Sequence, residues 1–89
     1  MRIKNGFVIE KVGASYLAVA TGERASEFNA LIRLNGTGAF LWTLLTEQDR
    51  TEEELLELML AEYDVDRDIA KRDIEMFKNQ LLKGGLLDA

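Results

Sequence analysis

The sequence predicts an α+β domain in which a small three-stranded antiparallel sheet is followed by three helices. Three observations carry that expectation. Most Gly, Val and aromatic residues lie before Thr46, whereas most Leu and Glu lie after it. Two β-branched and aromatic runs meet at Gly13-Ala14, and three later segments open on capping residues and continue with apolar residues at helical spacing. Eighty-nine residues feed one hydrophobic core, so 1–89 is read as a single domain. A winged-helix-like arrangement is one compact way to pack such a sheet against a helical trio.

The strands are expected at about 6–12, 15–20 and 27–34. Between the first two, glycine at the first central position of a two-residue loop suits a type II′ turn, whose twist matches that of the strands it joins. In the third, Phe28, Ala30, Ile32 and Leu34 share one face and Asn29, Leu31 and Arg33 the other, because side chains alternate along a strand. Asn35, or alternatively Thr37, caps a helix over 36–46. Its apolar stripe is Phe40, Leu41, Leu44 and Leu45, with Trp42 to one side and beneath the hairpin. Thr51-Glu52-Glu53-Glu54 is a capping box that opens a helix over 51–62 and places acidic groups at the positive end of its dipole. This helix is expected to bury Leu55, Leu58 and Met59. Residues 63–66 form a turn ending in a cap, and a third helix runs over 66–83 until Gly84-Gly85 stops it.

Composition removes most catalytic chemistry. The chain has no histidine and no cysteine, hence no imidazole base, no thiolate nucleophile, no disulfide and no zinc site built on those ligands. Eleven basic against sixteen acidic side chains leave a net charge of −5, which argues against a partner made mainly of phosphate. The imbalance is local: residues 1–46 carry five basic and three acidic groups, and residues 47–89 six basic and thirteen acidic. Carboxylates remain as metal ligands, and Asp64-Val65-Asp66-Arg67-Asp68 has the alternation that begins a calcium loop. Its sixth position is Ile69 where the sharp turn needs glycine, so these acids are read as turn and first-turn residues and no metal is expected. Gly36-Thr37-Gly38 lacks the lysine of a phosphate loop and is read as a helix start. The chain is therefore expected to be non-catalytic, with no cofactor of its own. No membrane-spanning run and no export signal is read in the sequence, and a cytoplasmic location is expected.

The third helix carries more apolar surface than one core stripe needs. At 100° per residue, Ala70, Ile74, Phe77 and Leu81 cluster between roughly 80° and 140° from Ile69. Ile69 and Met76 fall outside that arc, beside Arg72, Asp73 and Gln80. This second strip either widens the core or meets a dimer partner, or it forms one wall of a groove for a ligand, with methionine supplying adaptable apolar contact. A third strand at the sheet edge would supply the other wall, since unpaired backbone donors and acceptors there can take up an extended peptide as a further strand.

Leu34-Asn35-Gly36-Thr37-Gly38-Ala39-Phe40-Leu41-Trp42, followed by Leu44-Leu45, Tyr63-Asp64-Val65-Asp66, Asp73-Ile74, Phe77, Leu81 and Gly84-Gly85-Leu86-Leu87, resembles the coenzyme PQQ synthesis protein D family over nearly the whole chain. The resemblance implies a winged-helix-like peptide chaperone. Such a chaperone binds the leader of a ribosomally made precursor peptide and presents it to a modifying enzyme, typically a radical S-adenosylmethionine protein. In the family the leader adds to the third strand and lies against the third helix. On this chain the correspondence falls on Asn29, Ala30, Leu31, Ile32 and Arg33, and on Ile69, Arg72, Asp73, Met76 and Gln80. The iron–sulfur cluster would belong to the partner enzyme, because this chain has no cysteine to hold one.

Two other readings use the same features. A DNA-binding winged helix would place the third helix in a major groove, but residues 66–83 carry five basic and four acidic side chains where a DNA reader shows a clear basic face. A homodimer would bury the edge strand or the helical strip against a second copy.

Overall fold

The computed structural model describes residues 1–22 and 32–88. Its elements in chain order are β1 (Arg2–Ile3), β2 (Phe7–Val12), β3 (Ser15–Ala20), β4 (Ile32–Leu34), α1 (Gly36–Glu47), α2 (Glu52–Glu62), α3 (Arg67–Gly84) and β5 (Leu87–Asp88). The expected α+β architecture is present: β2, β3 and β4 form an antiparallel sheet in that order, and three helices follow. Residues 27–31 of the expected third strand, with Asn29, Ala30 and Leu31, lie outside the described residues.

The hairpin forms as the turn chemistry requires. Val12 pairs with Ser15, and Gly13 has φ +63° while Ala14 stays at negative φ. Only the first central residue is left-handed, as a type II′ turn demands and a type I′ turn does not allow. In the other ladder Ala18 pairs with Ile32, Leu17 with Arg33 and Tyr16 with Leu34. One face of the sheet therefore turns Ala18, Ile32 and Leu34 into the core, while Arg33 points outward.

Each helix starts and stops on identifiable groups. Asn35 caps α1, its side chain accepting from the Gly38 N–H at 2.8 Å. Thr37 is inside the helix, and its hydroxyl donates to Asn35 Oδ1 at 2.9 Å. Both arms of the Thr51–Glu54 capping box are present, each at 3.1 Å. Asp66 occupies the cap position of α3 without a side-chain cap bond. Gly85 ends α3 in the left-handed region at φ +72°, where its N–H reaches the Leu82 and Leu81 carbonyls, a conformation that glycine adopts without steric cost.

The core differs from expectation at two helices. In α1 the buried residues are Gly38, Leu41, Trp42 and Leu45, so Trp42 is central and Phe40 and Leu44 are marginal. This helix is covered by the sheet on one side and by β1, α2 and α3 on others, which rotates its buried arc toward the indole. In α2 Leu56 is buried where Leu58 was expected, alongside Leu55 and Met59, because α2 packs against both α1 and α3. The stripe on α3 is as expected: Ala70, Ile74, Phe77 and Leu81 are buried.

A second, two-stranded sheet joins the ends of the described chain, pairing Arg2 with Asp88 and Ile3 with Leu87. Ile3 is buried. Residues 1–3 are further held where the Arg50 N–H donates to the Met1 carbonyl at 2.9 Å. Among the described residues no helix is long and apolar enough to cross a membrane.

Candidate functional site

Strand β4 is an edge of its sheet, paired with β3 on one side and with no other strand among the described residues. Gln80 Nε2, on α3, donates to the Arg33 carbonyl at 3.1 Å. That bond fixes two things at once. It places α3 beside the open edge of β4, and it shows that the backbone carbonyl of Arg33 faces outward. Because hydrogen-bonding direction alternates along an antiparallel strand, the Arg33 N–H faces the same edge, while the polar backbone groups of Ile32 and Leu34 face β3.

Between strand and helix lies a concavity of about 140 Å³. Leu34, Leu41, Phe77 and Met76 supply its apolar surface, Asp73 and Gln80 line the helical wall, and Arg33 lines the strand wall. Gly38 closes one end. A Cβ there would lie 3.2 Å from both Leu34 Cβ and Asn35 Oδ1, so the absence of a side chain lets the first turn of α1 sit directly against β4 and its own cap. The groove thus combines a strand edge with no further strand beside it among the described residues, an apolar floor and one charge of each sign on opposing walls. That is the composition of a slot for an extended peptide, in which backbone bonds supply affinity and side-chain contacts supply selection.

The residues expected from sequence fall into three groups. Arg33, Asp73, Met76 and Gln80 line the concavity together. Ile69 and Arg72 continue the same exposed strip toward the start of α3 but lie beyond the concavity; Ile69 is 46% exposed and Met76 63%. Ile32 is buried, and its side chain belongs to the core. Asn29, Ala30 and Leu31 are outside the described residues. The sequence reading missed the wall supplied by Asn35, Thr37 and Gly38, although a small residue three positions after a cap asparagine is a signal of close backbone approach.

The far side of α3 is tied to α2. Arg67 pairs with Glu57 at 3.1 Å, and Lys78 with Glu52. The Lys78 ammonium is held above its ordinary value, chiefly by the hydrogen bond to Glu52 and then by that carboxylate's charge. A larger concavity of about 480 Å³ lies between the same helices. Its walls carry charges of both signs and it borders no open strand edge, so the β4–α3 groove is the better candidate despite its smaller volume. Among the described residues no group of three or more carboxylates is placed to hold a metal ion.

The described fold is that of proteins solved with peptides. The structure of TbiB1 in complex with the TbiA(beta) leader peptide matches with a TM-score of 0.73 at 26% identity, over 100% of this chain and 96% of that one. A lasso peptide synthetase B1 complexed with the leader peptide matches in fold, with a TM-score of 0.67 at 20% identity over 96% of this chain and 93% of that one. Among curated protein sequences there is no match. The sequence profile of the coenzyme PQQ synthesis protein D family, by contrast, matches residues 17–87, which run from β3 to β5 and include every groove element described above. The chain belongs to the coenzyme PQQ synthesis protein D family.

Proposed function

We propose that this chain is a non-catalytic adaptor of the cytoplasm. It captures the leader of a ribosomally made precursor peptide by strand addition at β4 and presents it to a modifying enzyme. The observation that carries the reading is the open edge of β4 beside the exposed Met76 strip of α3, with Gln80 reaching across to the Arg33 carbonyl. A peptide strand laid on that edge would pair with the outward N–H and C=O of Arg33 and bury Met76, which the free protein leaves in water. Support comes from the two similar structures, both complexed with leader peptides, and from the family. The modifying enzyme is taken to be a radical S-adenosylmethionine protein, which would bring the iron–sulfur chemistry that this cysteine-free chain cannot hold.

Charge favours a peptide over nucleic acid. Of the five cations on α3, Arg67 and Lys78 are committed to α2 carboxylates, and Lys71 lines the α2–α3 concavity with Glu52, Glu53 and Glu75, which leaves Arg72 and Lys83 short of the continuous basic face of a DNA reader.

The test is a titration of isotope-labelled protein with a synthetic peptide copied from the leader of the adjoining precursor gene. Amide shifts are expected in residues 27–34 and 69–80. Shifts confined to other surfaces, or none at millimolar peptide, would overturn the proposal.

A further inference from the structure

We propose that Gln80 guards the peptide-binding edge: its carboxamide occupies the Arg33 carbonyl in the free protein, and a bound peptide must displace it. The inference rests on the strand-addition reading above and adds to it a competitor built into the site.

An exposed strand edge presents donors and acceptors to any extended chain, including a second copy of the same protein, and such edges are commonly protected. Here the Nε2–H of Gln80 sits 3.1 Å from the outward carbonyl of Arg33, across 47 residues of sequence. The carbonyl is the acceptor that an added strand would use, because N–H and C=O of one residue face the same side of a strand. Gln80 and an incoming backbone N–H therefore compete for one position. The guard has no preference for the side chains of the peptide. It lowers the affinity of every strand equally and so leaves discrimination to Met76, Asp73 and the apolar floor.

The exchange conserves hydrogen bonds in number. The peptide N–H replaces the carboxamide N–H on Arg33, and the released carboxamide bonds to water or to the peptide. A capture step that replaces one bond by another is weaker and more readily reversed than one that satisfies a bare carbonyl. That suits a carrier which has to hand its cargo on. Gln80 is well placed for the role because it is exposed and belongs to no buried network, so it can leave without disturbing the core stripe of α3.

The test uses the whole protein and the same synthetic leader peptide. In the free protein the Gln80 side-chain amide resonances should stand apart from those of a solvated glutamine, and at saturating peptide they should move away from their free-state position. Gln80→Met keeps the length of the side chain and removes the donor, and it should bind the peptide about three- to tenfold more tightly, the worth of one net hydrogen bond. Equal or weaker binding by Gln80→Met, or Gln80 side-chain amides unmoved at saturation while residues 32–34 shift, would overturn the guard and leave the adaptor reading intact. Absence of any shift in wild-type protein overturns the adaptor reading itself.

Discussion

Phe7 meets the ring of Trp42 edge-on, with centroids 6.5 Å apart and planes at 85°. The pair fastens the start of the β2–β3 hairpin to α1, the helix around which the other elements gather. Trp42 is nearly fully buried, so Trp42→Ala removes both the largest side chain in α1 and the partner of Phe7. The expected loss is about 3–5 kcal/mol, from transfer and cavity terms together. Against a total of roughly 5–15 kcal/mol for a domain, that is a large share of the stability. Trp42→Phe, which keeps an aromatic ring in place, should lose distinctly less. Urea unfolding followed by far-ultraviolet circular dichroism measures both, and equal midpoints for the two variants would place the stabilisation elsewhere.

Met76 and Phe77 are neighbours in sequence and opposites in role. Phe77 is buried and Met76 is 63% exposed, although both border the groove. Met76→Asp should change stability by no more than about 0.5 kcal/mol, as surface substitutions do, yet weaken leader binding by tenfold or more, since it places a charge where the peptide would bury apolar surface. Phe77→Ala should cost about 3–5 kcal/mol of stability. Calorimetric titration beside urea unfolding separates the two. If Met76→Asp loses stability and affinity in parallel, Met76 is a core residue and the groove lies elsewhere.

The contrast between those two residues also explains what sequence could reveal. A long helix samples its periodicity many times, so the buried stripe Ala70, Ile74, Phe77 and Leu81 and the surplus strip at Ile69 and Met76 were both legible on a helical wheel. The caps at Asn35 and Thr51 were legible for a local reason, since the acceptor and its N–H lie three residues apart. Strands β1 and β5 were not legible. Two residues show no alternation, and their pairing joins Arg2 to Asp88 across nearly the whole chain. Trp42 does pack beneath the hairpin, against Phe7, but it lies within the buried arc of α1 rather than beside it. Leu56 takes the place expected for Leu58. Both differences arise because a helix touched on several sides buries an arc that its own sequence does not centre. At the site, the strip on α3 was visible, but the bond from Gln80 to Arg33 was not, since it depends on the relative placement of two elements.

Lys78 and Glu52 link the middle of α3 to the first turn of α2. The carboxylate raises the lysine above its ordinary value of 10.5. The stabilisation is therefore complete below the unfolded value of 10.5 and is lost as pH rises through the higher folded one. Above pH 10.5 the wild-type protein should lose stability more steeply than Lys78→Met, and the difference should shrink in molar salt, because both groups are exposed to solvent. Parallel pH profiles for the two proteins, read from thermal midpoints, would show the pair to be energetically silent.

Proline tests the edge of β4 at the level of the backbone. If the Arg33 N–H faces outward, as the Gln80 bond to its carbonyl implies, Arg33→Pro removes a donor that the sheet does not use. The ladder groups of Ile32 and Leu34 stay in place, the carbonyl of residue 33 remains, and proline is tolerated on edge strands whose N–H faces solvent. Arg33→Pro should therefore unfold within about 1 kcal/mol of Arg33→Ala, which loses the same guanidinium without altering the backbone. Their peptide affinities should differ: one missing strand-to-peptide hydrogen bond is worth about three- to tenfold, and proline should bind more weakly by that factor. Ile32→Pro provides the opposite control, since it deletes a ladder donor and a buried side chain together and should fail to fold. Equal peptide affinity for Arg33→Pro and Arg33→Ala would mean that the bound peptide does not pair with β4 at residue 33.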